Sequence, residues 1–304
     1  MKTKTLIITI AVIALPIAGA IWLSTNGDGS PNTGAKELIP VQAISHGHGL
    51  AVDPNDVSKL YIATHYGLLL LEDEQNLYQV GNKRDDYMGF SPHPTDSSVF
   101  FSSGHPASGG NIGFQKSEDG GFTWKKISNG LGGPVDFHAM AVSPANPNVA
   151  YGWFKGDLQK TTDGGNSWAK NATGFPVVHL AADIKDAQTL YASSPQGFFK
   201  STDGGATWQH LFDGFVATSV VNPSDQSILS VSEKYGLARS VDGGTTWTAI
   251  AERFNGETPL YISHYRQNPD IAYLFTEKNS VYKSTNSGDT WQKLSVLSGG
   301  EYDE

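Results

Sequence analysis

A nine-residue pattern recurs along this chain. Lys200-Ser201-Thr202-Asp203-Gly204-Gly205-Ala206-Thr207-Trp208 has counterparts at 116–124, 160–168, 239–247 and 283–291. The closing tryptophans fall at 124, 168, 208, 247 and 291, with spacings of 44, 40, 39 and 44 residues. Self-similarity at such a period means one supersecondary unit stacked on copies of itself. A period near 40 fits a four-stranded propeller blade and a helical pair alike. The segments between the boxes decide. Residues 149–153, 190–194 and 271–275 are short, rich in Val, Ile and aromatics, and bounded by Pro, Asn, Asp and Gly, so they read as strands.

The box reads as the turn of a hairpin. Its Asp can accept backbone N–H groups two or more residues on, and its Gly-Gly pair tolerates positive φ. Its Trp offers a large apolar face to the next unit. Register extends the pattern to a sixth, degenerate unit. Gly197 precedes Asp203 by six and Trp208 by eleven residues, and Gly67 precedes Asp73 and Tyr78 by the same intervals. Six units then run over about 39–82, 83–128, 129–174, 175–214, 215–253 and 254–295. The expected fold is all-β, a single six-bladed β-propeller of four-stranded antiparallel blades, with seven blades as the alternative. Asp73, Asp119, Asp163, Asp203, Asp242 and Asn286 are expected to be structural residues of the boxes.

The boxes resemble the Asp-box (BNR) motif, Ser/Thr-x-Asp-x-Gly-x-Thr/Ser-Trp. The resemblance spans about 46–295 and points to the Asp-box β-propellers: sialidases, sortilin-type receptors, family-74-like glycoside hydrolases and exported bacterial proteins labelled glycosyl hydrolases. It implies that the box lies on the face away from the active site.

Net charge is −9, which disfavours nucleic acid and anionic lipid surfaces as partners. The absence of cysteine excludes disulfides, thiolate metal sites and cysteine nucleophiles. Lys2 and Lys4 precede an apolar run from Leu6 to Leu23, with Ala18-Gly19-Ala20 fitting a cleavage site. Residues 1–23 are therefore read as a cleaved signal peptide or an N-terminal membrane anchor. Either places the propeller, 39–295, outside the cytoplasm, secreted or tethered. Residues 24–38 read as a flexible linker and 296–304 as an acidic tail.

Blade register singles out one face. His48, Met88 and His138 each lie 13 residues before the aromatics Tyr61, Phe101 and Tyr151 of the second strands. His46, Asp86 and Asp136 stand two residues earlier, on the same side of an extended strand. His65, His105 and Lys155 follow those aromatics by four. In blades 4–6 the matching inner-strand positions are Pro176 and Val178, Phe215 and Ala217, Thr258 and Leu260, so the polar set is confined to blades 1–3. Imidazole with carboxylate suits a divalent transition metal such as Zn²⁺, Mn²⁺ or Fe²⁺, and Met88 leaves copper open. The expectation is a metal ion or small ligand on this face, with His46, His48 and His138 as metal ligands. His65, Tyr66, His105 and Trp153 would contact the ligand. The same side chains would equally satisfy one another and trapped water.

Two alternatives stay open. Asp86 and Asp136 are the one carboxylate pair the register puts on this face, as a glycoside hydrolase needs. A protein-binding scaffold or assembly factor of the sortilin-like kind would bind envelope proteins instead of a carbohydrate or small ligand. Sialidase chemistry fits poorly: the chain has four arginines, Arg84, Arg239, Arg253 and Arg266, one of them inside a box, and no Arg-Ile-Pro sequence.

Overall fold

The computed structural model describes residues 36–250 and 254–295. The export or anchor segment, all but the last three residues of the linker, Arg253 and the tail 296–304 lie outside the described residues. Among the described residues no helix is long and apolar enough to cross a membrane.

Six antiparallel sheets follow one another in chain order, each built from consecutive strands. Their innermost strands are Gly47–Val52, Asp86–Pro92, Ala139–Val142, His179–Ala182, Val216–Val221 and Pro259–His264. These six meet their neighbours in cyclic order, the last against the first, and enclose a central channel. The chain is a six-bladed β-propeller.

Ring closure uses side chains rather than an exchanged strand. Leu38–Pro40 pairs with Asn76–Val80 as a fifth, outer strand of blade 1. Blade 6 completes itself with its own four strands. Between blades 6 and 1, Phe275, Tyr273 and Val281 pack with Ile44, Leu50 and Ile62. Glu74 accepts from Tyr273 Oη (3.0 Å) and pairs with Lys283. Five further apolar clusters fill the remaining gaps between adjacent blades. Burial between blades, not within them, is therefore what drives the fold.

The boxes close the third-to-fourth-strand hairpins of blades 2–6. In blade 4, Ser201 Oγ accepts from Gly205 N (2.8 Å) and donates to Asp203 Oδ1 (2.8 Å). Asp203 then accepts Thr207 N (2.9 Å) and Thr207 Oγ1 (2.6 Å). The Thr207 hydroxyl first, then its N–H and Ser201, hold the Asp203 carboxyl down to about 2. Asn286 keeps the pattern with one bond reversed, its Nδ2 donating to Thr290 Oγ1 (2.9 Å). Each tryptophan packs at a blade interface, Trp168 against Phe114 of the preceding blade (5.1 Å) and Trp247 against Phe198 (5.5 Å). Ser201→Ala would strand the buried N–H of Gly205 and should cost about 1–3 kcal/mol. Urea unfolding of the variant tests this, and an unchanged midpoint would refute it.

Asp73 departs from the expectation. In blade 1 the hairpin is a tighter turn: Gln75 N donates to Glu72 O (3.1 Å), with Asp73 and Glu74 at φ 53° and 58°. Asp73 N donates to Ser58 O, the bond that Gly120, Gly164 and Gly204 make in the boxes. Asp73 therefore occupies the position of the first box glycine, not of the box aspartate. These bonds, with Ser287 N to Asp270 O in blade 6, tie the boxes of blades 2, 3, 4 and 6 to the loop after the inner strand. Boxes and inner-strand exits share one face, and inner-strand entries lie on the other.

Candidate metal centre and ligand groove

The Gly47-His48-Gly49 segment enters the ring between two neighbours that leave no room for side chains. A Cβ on Gly47 would lie 2.4 Å from Phe275, and one on Gly49 would lie 2.8 Å from Phe90 Cβ. The ladder to the second strand skips one residue between them, and that residue is His48. Close packing on both sides thus projects one imidazole at the channel entry. In blade 2, Asp86 opens the inner strand directly opposite His105. In blade 3, Phe137 is fully buried against Trp168 (5.2 Å), which turns its neighbours Asp136 and His138 the other way.

These side chains form two triads. In the first, nitrogens of His46, His48 and His65 lie within 4.8 Å of one another. Asp86 supports it: Oδ2 is 2.8 Å from His65 Nδ1, and Oδ1 is 3.6 Å from His48 Nε2. Burial depresses His48 to about 3, with the His65, His46 and His138 charges adding to the effect and Asp86 opposing it. At neutral pH its imidazole is uncharged and competent to ligate. Burial pushes Asp86 up, but the hydrogen bond with His65 and the charges of His48, His65 and His105 outweigh it and hold the carboxyl below the ordinary range.

The second triad is His105, Asp136 and His138. Asp136 is buried, and its Oδ2 lies 2.7 Å from His138 Nε2 and 3.0 Å from His105 Nε2. The bond with Asp136, partly offset by burial, raises His138. His105 is different. Its Nδ1 lies 2.8 Å from the carbonyl of Gly110, an acceptor, so Nδ1 carries the proton. In the neutral ring Nε2 is then a lone pair facing a carboxylate oxygen. That contact needs a proton or a cation between the two atoms.

The sequence grouping is thus rearranged. His65 and His105, read as ligand contacts, join the two triads, and His138 separates from His46 and His48. Met88 is buried in the inner strand of blade 2. Trp153 lines a groove of about 460 Å³ beside the second triad, with Asp136, His138, Phe154, Lys155, Val177 and Val178. Its indole donates to Thr173 Oγ1 (3.2 Å), which fixes the ring. Tyr66 stands beside His65 (6.3 Å between ring centres) with 66 % of its surface exposed. Phe154 and Val177 were not legible as groove residues, because only the turn of the chain between blades 3 and 4 brings them there.

No protein family and no curated relative matches this sequence. Solved structures do match in fold. A GH74 enzyme from Niastella koreensis aligns at a TM-score of 0.62 and 16% identity, over 84% of this chain and 46% of its own. A GH74 xyloglucanase from Xanthomonas campestris aligns at 0.54 and 17%, over 80% and 45%. YCF48 bound to a D1 peptide aligns at 0.55 and 14%, over 84% of each chain. This chain spans less than half of those two GH74 chains but most of YCF48. The likeness is one of β-propeller fold.

Below the triads the His179 ring meets that of Tyr261 (6.1 Å between ring centres), and His179 and His264 line one cavity of the channel. Burial holds His264 down to about 4, with the Pro269 carbonyl opposing, Arg239 adding and Asp225 opposing. The folded chain refuses a proton that the unfolded chain accepts near pH 6.5. The resulting stability is complete above that pH and is lost as pH falls toward 4, on the order of 3 kcal/mol. Urea midpoints at pH 7 and pH 4.5 should therefore diverge less for His264→Gln than for the unsubstituted protein. Equal divergence would rule this out.

Proposed function

We propose that this protein is an extracytoplasmic Asp-box propeller that holds divalent transition metal ions, Zn²⁺ foremost, on the His/Asp face of blades 1–3. A small ligand would bind in the adjoining groove. The observation that carries this is His105, whose Nδ1 proton is spent on Gly110 and whose Nε2 faces a buried Asp136 oxygen at 3.0 Å, a contact that a metal ion or a proton must bridge. The first triad agrees. Two ligands of one tetrahedral zinc stand about 3.4 Å apart, given metal–ligand distances near 2.1 Å. His48 Nε2 and Asp86 Oδ1 are 3.6 Å apart, too far for a hydrogen bond, and neither has another hydrogen-bond partner among the described residues. Trp153, Phe154 and Val178 would cover an apolar or planar part of the ligand and Lys155 an anionic part. The placement outside the cytoplasm rests on the Lys-led apolar segment at 1–23.

Metal analysis of protein prepared without a histidine tag tests the reading. One or two equivalents of Zn²⁺ or a related ion are expected, and a His48→Ala/His138→Ala variant should lose them. Protein that retains no metal and gains no thermal stability on adding Zn²⁺ would sink the proposal.

The fold likeness to GH74 enzymes favours a second reading, glycoside hydrolysis by Asp86 and Asp136. Its general acid needs a raised pKa, and Asp86 is held down instead. Turnover of aryl glycosides that disappears in Asp86→Ala and in Asp136→Ala would establish it. The likeness to YCF48 bound to a peptide keeps a protein partner as a third, which co-purification of envelope proteins without metal or turnover would support.

A further inference from the structure

Three histidines that the triads do not use, His93, His179 and His264, line one cavity of about 220 Å³ in the central channel. Arg266 lines it too, at the exit where the inner strands meet the box face. The rest of the wall is mostly apolar, with prolines 54, 94, 144 and 223 at the exit. The volume corresponds to about seven waters at liquid density.

The polar groups here have fixed and complementary roles. Arg266 is half-buried, and among the described residues no carboxylate pairs with it. Burial is what shifts its pKa, downward. Carboxylates at neighbouring exits are spent on their own loops: Asp53 Oδ1 accepts Asn55 N (2.8 Å), and Asp183 Oδ1 accepts Lys185 N (2.8 Å) and Asp186 N (2.9 Å). His93 replaces that aspartate in blade 2. Its Nδ1 accepts Asp96 N (3.1 Å), so its proton sits on Nε2 and the imidazole is a donor to the cavity. His264 is the reverse. Its Nδ1 donates to Pro269 O (2.9 Å), which leaves Nε2 as an acceptor. That atom is buried without a partner on a side chain only 9 % exposed.

A cation, an N–H donor and a buried acceptor around one small cavity describe a specific ligand chemistry. We infer that this cavity binds a small oxyanion that also carries a hydroxyl, a hydrogen phosphate or a 2-hydroxycarboxylate. Arg266 and His93 would hold the anionic oxygens, and His264 Nε2 would accept from the hydroxyl. The planar fork of an arginine suits either anion. In a chain of net charge −9 an unpaired guanidinium inside the channel is a local focus for an anion. The inference uses none of the triad residues and stands apart from the metal reading.

Calorimetric titration at pH 7 with inorganic phosphate, glycolate and acetate tests it. Saturable binding with one site per chain is expected for phosphate, glycolate or both, and the tighter of the two identifies the natural class. Acetate, which lacks the hydroxyl, should bind about tenfold more weakly than glycolate. Arg266→Gln should weaken every anion by at least roughly tenfold, and Arg266→Lys by less. His264→Leu should erase the preference for glycolate over acetate. The His48→Ala/His138→Ala variant should bind as the unsubstituted protein does. Absence of saturable binding for all three anions would overturn the inference, and so would an affinity unchanged in Arg266→Gln. If Arg266→Gln fails to fold, an Arg266→Lys affinity equal to the unsubstituted protein's for all three anions would overturn it as well.

Discussion

Asp136→Asn should weaken metal binding at the second triad by at least about 100-fold, whereas Asp86→Asn should cost the first triad about 10–100-fold. The two aspartates differ in role. Asp136 brings one oxygen to two imidazoles, 2.7 Å from His138 and 3.0 Å from His105, and is one of the three groups that would ligate an ion there. The amide keeps the shape but loses the charge that balances the ion, and an isolated pair of imidazoles holds a divalent ion poorly. Asp86 Oδ1 offers a further donor beside His48, but the three histidines can ligate without it. Its bond to His65 Nδ1 at 2.8 Å fixes the ring and leaves Nε2 free for the ion. Competition with a chromophoric zinc chelator reads both affinities. Equal losses for the two substitutions would contradict this division of roles.

Gly165→Ala should lower the free energy of unfolding by about 3–4 kcal/mol, through left-handed backbone strain of about 1 kcal/mol and overpacking of about 2–3 kcal/mol. Gly165 has φ +92°, and a Cβ there would lie 2.1 and 2.3 Å from ring atoms of Phe114. Phe114 is fully buried between Phe101 (5.8 Å) and Trp168 (5.1 Å), so its ring has nowhere to go. Gly132 is the control. Its φ is +83°, and nothing lies within 4 Å of a Cβ built there. Gly132→Ala should cost only the strain, about 1 kcal/mol. Urea midpoints of the two variants separate packing from backbone conformation. Similar losses in both would mean that the box glycine is needed for its φ alone.

Much of the candidate site was visible in register. A 13-residue interval from strand aromatic to strand entry placed His48 and His138, and the two-residue step added His46, Asp86 and Asp136. That worked because every blade repeats the same ladder, so intervals in sequence become positions on one ring. It failed where a blade bends the ladder. The skipped residue at His48, the tight turn at Asp73 and the shared burial of Phe137 all change side-chain direction locally. The channel residues His93, His179, His264 and Arg266 carried no signal at all. Each sits at a different offset in its blade, and only the closed ring brings them to one cavity.

The sequence by itself determined the repeat, the order of strands and which end of each blade faces which way, while the closed ring settled six blades over seven. Those follow from a repeated turn whose hydrogen bonds are local, within a few residues of one another. The tertiary structure decided how the histidines group. It also decided that the ring closes through Glu74, Tyr273 and Lys283 rather than a shared strand. These outcomes depend on contacts between residues up to about 200 positions apart, such as Glu74 and Tyr273, which lie 199 apart. No local interval encodes such contacts; the closure of six wedge-shaped blades around one axis creates them.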